Sequence, residues 1–143
     1  MRFLGLDLGT KTLGIAISDK TNSIASPLTT LRFSSEDYES LIMPLKDIIN
    51  ENSITTIVLG LPKNMDSSLG FAAKRSNDFA EILKNNIDIP VVLVDERLTS
   101  VMAHNILSEN GKKMINHKKD VDAVAACLIL EDYLKRSAKW NLI

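Results

Sequence analysis

Three short apolar runs constrain this chain more than any other feature: Phe3 to Leu8, Ile54 to Leu59 and Val91 to Val94, each separated from the next by room for a helix. Runs this short and this uniformly apolar mark strands buried on both faces. A fourth run, Leu13 to Ser18, follows the first after the turn-prone Gly9-Thr10-Lys11-Thr12, as the return arm of a hairpin would. A fifth, Ser26 to Phe33, completes a three-stranded meander. The expected order is three strands, helix, strand, helix, strand, helices, an α/β architecture whose mixed sheet is flanked by helices on both faces. In such sheets ligands collect where strands end in polar residues.

The helices are read from their apolar spacing. Ser34-x-x-Asp37 has the form of a capping box, and Tyr38, Leu41, Ile42, Leu45, Ile48 and Ile49 recur at helical intervals, which predicts a helix from Ser34 towards Asn52. Pro44 interrupts that pattern, so a kink or break is expected there. Further helices are expected over Leu69 to Lys84, burying Phe79, Ile82 and Leu83; over Ser100 to Glu109, with Thr99 as N-cap; and over Val121 to Arg136. The last is nearly continuous in Ala, Val, Leu and Ile through its first half, as suits a helix packed close against a sheet. With 143 residues and no repeat or linker, the chain is expected to form one domain over 1–143.

Three places put acids where chemistry is possible. Asp7 interrupts a strand that otherwise reads as core, where a carboxylate needs compensation; a bound cation supplies it, or hydrogen bonds from the Gly9-Thr10 turn do. Asp95-Glu96-Arg97 ends the run Val91 to Val94. Strand side chains alternate, so only one of Asp95 and Glu96 can face a given site, and periodicity alone does not choose. Asp120 and Asp122 open the final helix, where a first-turn acid is also favoured by the helix dipole. Ala125 and Ala126, one turn on, would let that helix approach the sheet and carry Asp122 to the strand ends. Carboxylates from these places suit hard divalent cations, and a pair of ions roughly 3.5–4 Å apart is the arrangement of two-metal phosphodiester cleavage.

Charge patterning agrees. The 17 basic and 18 acidic side chains nearly cancel, which excludes a uniformly basic nucleic-acid coat, but they are not evenly spread. Lys112, Lys113, Lys118 and Lys119, with His117, crowd the segment before the last helix, whereas Glu36, Asp37, Glu39, Asp47 and Glu51 face a single Lys46 in the first helical region. Lys11, Lys63, Lys74, Arg75 and Arg97 would extend the basic side near the strand ends and anchor phosphates without reading sequence. The stretch Gly60 to Ser68 is too polar for core and reads as a loop, either one that closes over substrate, the favoured reading, or an ordinary connection whose Asn64 or Asp66 caps the following helix. Cys127 reads as inert core and cannot form an internal disulfide, His104 as a packing or solvent-facing residue, and Trp140 as a dock for the tail or part of a partner surface. Asp7 and Lys11 break any leader-like apolar region and no stretch approaches about 18 apolar residues, so the reading is a soluble cytoplasmic protein without membrane contact.

These blocks resemble the ribonuclease H-like superfamily and, within it, the YqgF family of pre-16S ribosomal RNA processing nucleases, also described as Holliday-junction resolvases. The likeness spans the chain: Leu6-Asp7-Leu8-Gly9-Thr10-Lys11 with Gly14-Ile15-Ala16; Val58-Leu59-Gly60-Leu61-Pro62 with Asn64-Met65-Asp66; Asp95-Glu96-Arg97-Leu98-Thr99-Ser100; and Asp122 with Ala125-Ala126. The resemblance implies a five-stranded mixed sheet of order 3-2-1-4-5, strand 2 antiparallel, flanked by helices. It implies Asp7, Glu96 and Asp122 as metal ligands and catalytic acids, with Asp95 or Asp120 as supporting or alternate acids, and two magnesium or manganese ions as cofactors. Ser67, Met102 and Lys119 depart from the family's pattern, and Lys119 stands where related resolvases place a further carboxylate.

The activity implied is metal-dependent cleavage of phosphodiester bonds in 5′-end maturation of pre-16S rRNA, acting on the small-subunit precursor. Resolution of branched DNA is the rival within the same chemistry and would call for a homodimer rather than a monomer. A noncatalytic ribosome-assembly or RNA-binding factor on the same scaffold is a further reading. Nucleotide hydrolysis is the remaining one, because Asp7-Leu8-Gly9-Thr10-Lys11 also resembles the phosphate hairpin of actin-like ATPases and sugar kinases; those proteins close two such domains around nucleotide.

Overall fold

The computed structural model describes residues 2–61, 71–95 and 120–141, with side chains at all of these but 71–73, 95, 120 and 137–141. The strands are β1 (Arg2–Leu8), β2 (Thr12–Ser18), β3 (Ala25–Arg32), β4 (Ile54–Leu61) and β5 (Val91–Asp95); the helices are α1 (Ile42–Asn52), α2 (Phe71–Asn86) and α3 (Asp120–Asn141). They form one sheet of order β3-β2-β1-β4-β5. β2 is antiparallel to both its neighbours, while β1, β4 and β5 are parallel, so their carboxyl ends share one edge. This is the expected topology.

Each strand divides its side chains between two cores. Leu4, Leu6 and Leu8 of β1, Leu13 and Ile15 of β2, and Ile57 and Leu59 of β4 pack with Leu41, Leu45, Ile49, Phe79 and Leu83 of the α1 and α2 side. On the opposite face Ala16, Val58 and Val94 pack with Ala126, Cys127, Ile129, Leu130 and Leu134 of α3. Burying a large aliphatic or aromatic side chain contributes about 1.5–3 kcal/mol, so the first core holds most of the apolar driving force.

The first helix differs from its expected form. The Asp37 N–H donates back to the Ser34 carbonyl at 2.9 Å, and Glu36 adopts a φ of 66°, so residues 34–37 make a turn and not a capping box. A 3-10 turn over Tyr38–Leu41 precedes α1, which begins at Ile42. Pro44 therefore occupies the first turn of a helix, where its missing N–H costs no intrahelical bond, and the expected kink is not needed. The apolar stripe survives the change: Tyr38 and Leu41 are buried although they precede α1, and the Tyr38 ring packs against Phe33 and Phe79. Ser53, left-handed with φ 56°, closes the helix by donating its N–H to the Ile49 carbonyl.

Elsewhere the differences are at the ends. β4 continues through Gly60 and Leu61, which the sequence assigned to a loop, because Gly60 and Leu61 pair with Val94 and Asp95 of β5. α2 ends at Asn86, and α3 runs on to Asn141 beyond the expected Arg136. The expected helix over Ser100 to Glu109 and the loop from Pro62 to Ser68 lie outside the described residues. None of the described helices is long and apolar enough to cross a membrane.

Candidate functional site

Asp7 lies near the carboxyl end of β1, half-buried, between Leu6 and Leu8, whose side chains enter the α1 and α2 core. Alternation therefore puts Asp7 on the α3 face. Gly5, two residues earlier, confirms the phase: a Cβ there would meet the Ala126 carbonyl oxygen and the Leu130 Cβ, each at 2.8 Å. Across the antiparallel ladder Asp7 is paired with Gly14, and directly opposed residues share a face with Cα atoms about 4.5–5.5 Å apart.

Gly14 is where the last helix lands. A Cβ on it would fall 2.0 Å from the carbonyl oxygen of Asp122, 2.3 Å from its carbonyl carbon and 2.9 Å from the Ala123 nitrogen. The start of α3 thus rests backbone against backbone on the strand residue beside Asp7. Ala126 is fully buried and supports the close approach, as its size suggested, but the tightest contact belongs to Gly14. Asp122 is anchored here by a side-chain bond as well: Thr12 Oγ1 donates to Asp122 Oδ2 at 2.9 Å. A hydrogen bond to a charged group contributes about 1.5–3 kcal/mol. Thr12 opens β2 just past a turn closed by the Gly9 N–H donating to the Thr12 carbonyl at 2.8 Å.

Two of the three principal acids, Asp7 and Asp122, therefore lie on the same face at one end of the sheet, although they are far apart in sequence. Oxygen-only, anionic donors held by a strand and a helix start are the donor chemistry that hard divalent cations take. Among the described residues no group of three His, Cys, Asp or Glu side chains converges; the third acid, Glu96, lies outside them. Asp95 is the last residue of β5, its backbone paired with Leu61, and Asp120 is the first residue of α3.

Of the expected phosphate-binding cations, Lys11 is exposed in the β1–β2 turn, at the same end of the sheet. Lys63, Arg97, Lys112, Lys113, Lys118 and Lys119 lie outside the described residues, as do His104 and His117. Lys74 and Arg75 belong to α2, whose core is on the far face of the sheet from α3, so they do not extend the Asp7 face. Arg32 does, and the sequence reading passed over it. It is exposed, and it is paired with Thr12 across the β2–β3 ladder, which sets it on the same face and at the same end as Asp122. Only strand register reveals that neighbourhood. Cys127 is buried, its Sγ donating to the Ala25 carbonyl at 3.2 Å, and burial pushes its thiol up to about 12, so it remains neutral core as expected. Trp140 lies within α3.

A family model described as "RuvX: Holliday junction resolvase" matches residues 1–136. A protein of Lactobacillus johnsonii named "Putative pre-16S rRNA nuclease" is 41% identical over 143 residues, covering 99% of this chain and 100% of that one. One of the same name from Onion yellows phytoplasma is 47% identical over 132 residues, covering 92% and 87%. Among solved structures, Thermus thermophilus RuvC in complex with Holliday junction substrate superposes with a TM-score of 0.58 at 11% identity, over 95% of this chain and 96% of that one. The fowlpox virus Holliday junction resolvase does so with a TM-score of 0.58 at 16% identity, over 95% and 99%. At these identities the structures share a fold, and the fold is the ribonuclease H-like one that the resemblance implied.

Proposed function

The chain belongs to the RuvX family, and from that premise we propose that it is a divalent-metal-dependent nuclease that cleaves phosphodiester bonds in 5′-end maturation of pre-16S rRNA. The observation that carries the reading is the seating of Asp122 on Gly14, the cross-strand neighbour of Asp7. A half-buried carboxylate on a core strand is costly without compensation, and a helix start that lands beside it with a second acid is the arrangement a bound cation would stabilise.

In this reading Asp7, Asp122 and Glu96 hold two magnesium or manganese ions. The choice of Glu96 over Asp95 is the one that the family resemblance implies. Asp95 and Asp120 are supporting acids. Bound divalent cations supply the Lewis acidity that phosphodiester hydrolysis needs at neutral pH. The chain's own contribution is to fix the anionic oxygens on rigid elements and to hold the substrate backbone beside them. Lys11 and Arg32 do the latter from the described residues, with Lys63, Arg97, Lys112, Lys113, Lys118 and Lys119 extending the basic side. Such contacts set register along a structured RNA without reading its bases. Names of the relatives favour the ribosomal RNA precursor; the family's description favours branched DNA, which needs two symmetric cuts and hence a homodimer.

The test is cleavage of a pre-16S rRNA fragment and of a synthetic four-way junction, each with magnesium, manganese or chelator, by the native protein and by Asp7→Asn. The expected result is metal-dependent scission of the RNA, reduced about a hundred-fold or more by the substitution, or ~2.7 kcal/mol at the barrier. Equal residual cleavage by both proteins would falsify catalysis at this site. Preferential cutting of the junction by a dimer would transfer the reading to DNA, and RNA binding without scission in any metal would make the chain a noncatalytic factor.

A further inference from the structure

We propose that Thr12 is a positioning residue for the metal centre, its hydroxyl holding Oδ2 of Asp122 so that Oδ1 is left to face the ion. The inference rests on the reading that Asp7 and Asp122 bind a divalent cation. The Thr12 Oγ1 to Asp122 Oδ2 bond, 2.9 Å long, joins residues 110 apart in sequence and reaches from the first residue of β2 to the first turn of α3. Thr12 shares the α3 face with Gly14 and Ala16, and so with Asp7.

The chemistry of the donor matters here. The terminal torsion of an aspartate is broad and nearly two-fold, so an unrestrained carboxylate offers either oxygen with little preference. A threonine hydroxyl has one proton to give, and at this distance it gives it to Oδ2, which breaks the symmetry. It does so without charge. A lysine or arginine in the same place would hold the carboxylate as well, but would cancel the negative potential that attracts a cation. Thr12 is itself held, since its carbonyl closes the preceding turn through the Gly9 N–H and its backbone is paired with Arg32. A neutral donor on a fixed strand fits the role of orienting a ligand before the ion arrives. Partners of this kind are worth roughly ten- to a hundred-fold in metal affinity.

The test is a titration of the full-length protein with Mn2+ alone, free ion being followed by its electron paramagnetic resonance signal. Four proteins are compared: native, Thr12→Val, which keeps the branched shape without the hydroxyl, Thr12→Ser, which keeps the hydroxyl, and Asp122→Asn. Thr12→Val is expected to weaken Mn2+ binding roughly ten- to a hundred-fold, with Thr12→Ser within about three-fold of native, an order-of-magnitude allowance for the lost methyl. Native-like binding by Thr12→Val would overturn the positioning role and leave the ion site standing. Equal weakening by Val and Ser would also overturn it, because the methyl and not the hydroxyl would then be what matters. A native protein that binds no Mn2+, or an Asp122→Asn variant that binds as native, would instead bring down the underlying reading of the site.

Discussion

The two faces of the sheet are closed by opposite means. Against α1 and α2, large side chains interlock: Leu4, Leu6, Leu13, Ile15, Ile57, Leu59 and Phe79 are all fully buried. Against α3 the sheet has almost no side chains to offer at the critical points, and Gly5 and Gly14 let the helix touch the strands with backbone atoms. The first face obtains stability from volume. The second gives up volume to bring a helix start, and Asp122 with it, beside Asp7. Stability and site geometry are therefore separable by mutation, in a way that a uniform core would not allow.

The largest effect on stability is expected on the first face. Phe79→Ala opens a cavity among Leu, Ile and Tyr side chains and is expected to cost about 3–5 kcal/mol in urea unfolding, while Mn2+ affinity per folded molecule stays native; a lost isotherm in the folded variant would break the separation. Gly14→Ala inverts the pattern. Its Cβ cannot coexist with the Asp122 carbonyl, so α3 must shift, at a cost of about 1–3 kcal/mol, and both Mn2+ binding and cleavage should fall to background. Gly5→Ala meets atoms at 2.8 Å from deeper in the same helix; a smaller loss of stability, about 1 kcal/mol, is expected, with partial loss of ion affinity as α3 is lifted further from its start.

The smallest effect concerns Cys127, on the α3 face. Its folded thiol titrates near 12 against an ordinary 9.0, because burial disfavours the thiolate and Glu131 adds like charge. The contribution to stability is fully present below pH ~9 and is lost as pH rises from there through the folded value. At pH 8 the native thiol should react with a thiol reagent only as fast as the chain opens. Rapid labelling of the folded protein would show that α3 detaches from β3 readily, and would undercut the close packing on which the site depends.

Much of this was legible beforehand, for physical reasons that differ by element. The strands announced themselves because a buried parallel sheet needs short, wholly apolar runs. Asp7 stood out because a charge in such a run is costly. The start of the first helix differs from its expected form because Ser34 and Asp37 satisfy a local capping pattern that the chain uses for a turn, and Pro44, which breaks the helical pattern in sequence, sits in the first turn of α1 where a proline is tolerated. Thr12 and Arg32 were invisible for a different reason: their significance comes from register with β3 and from contact with a helix more than a hundred residues away, neither of which leaves a periodic mark. The same holds for Gly14, whose missing Cβ makes room for Asp122 only through a contact distant in sequence.

The distance between Thr12 and Asp122 along the chain also has a temporal side. A ribosome making this protein releases β1 and β2 well before α3, so a nascent polypeptide exposes Asp7 and Thr12 long before their partner exists. On the proposed reading ion capture waits until α3 has emerged and docked, and a nascent chain without it is harmless to the transcripts around it.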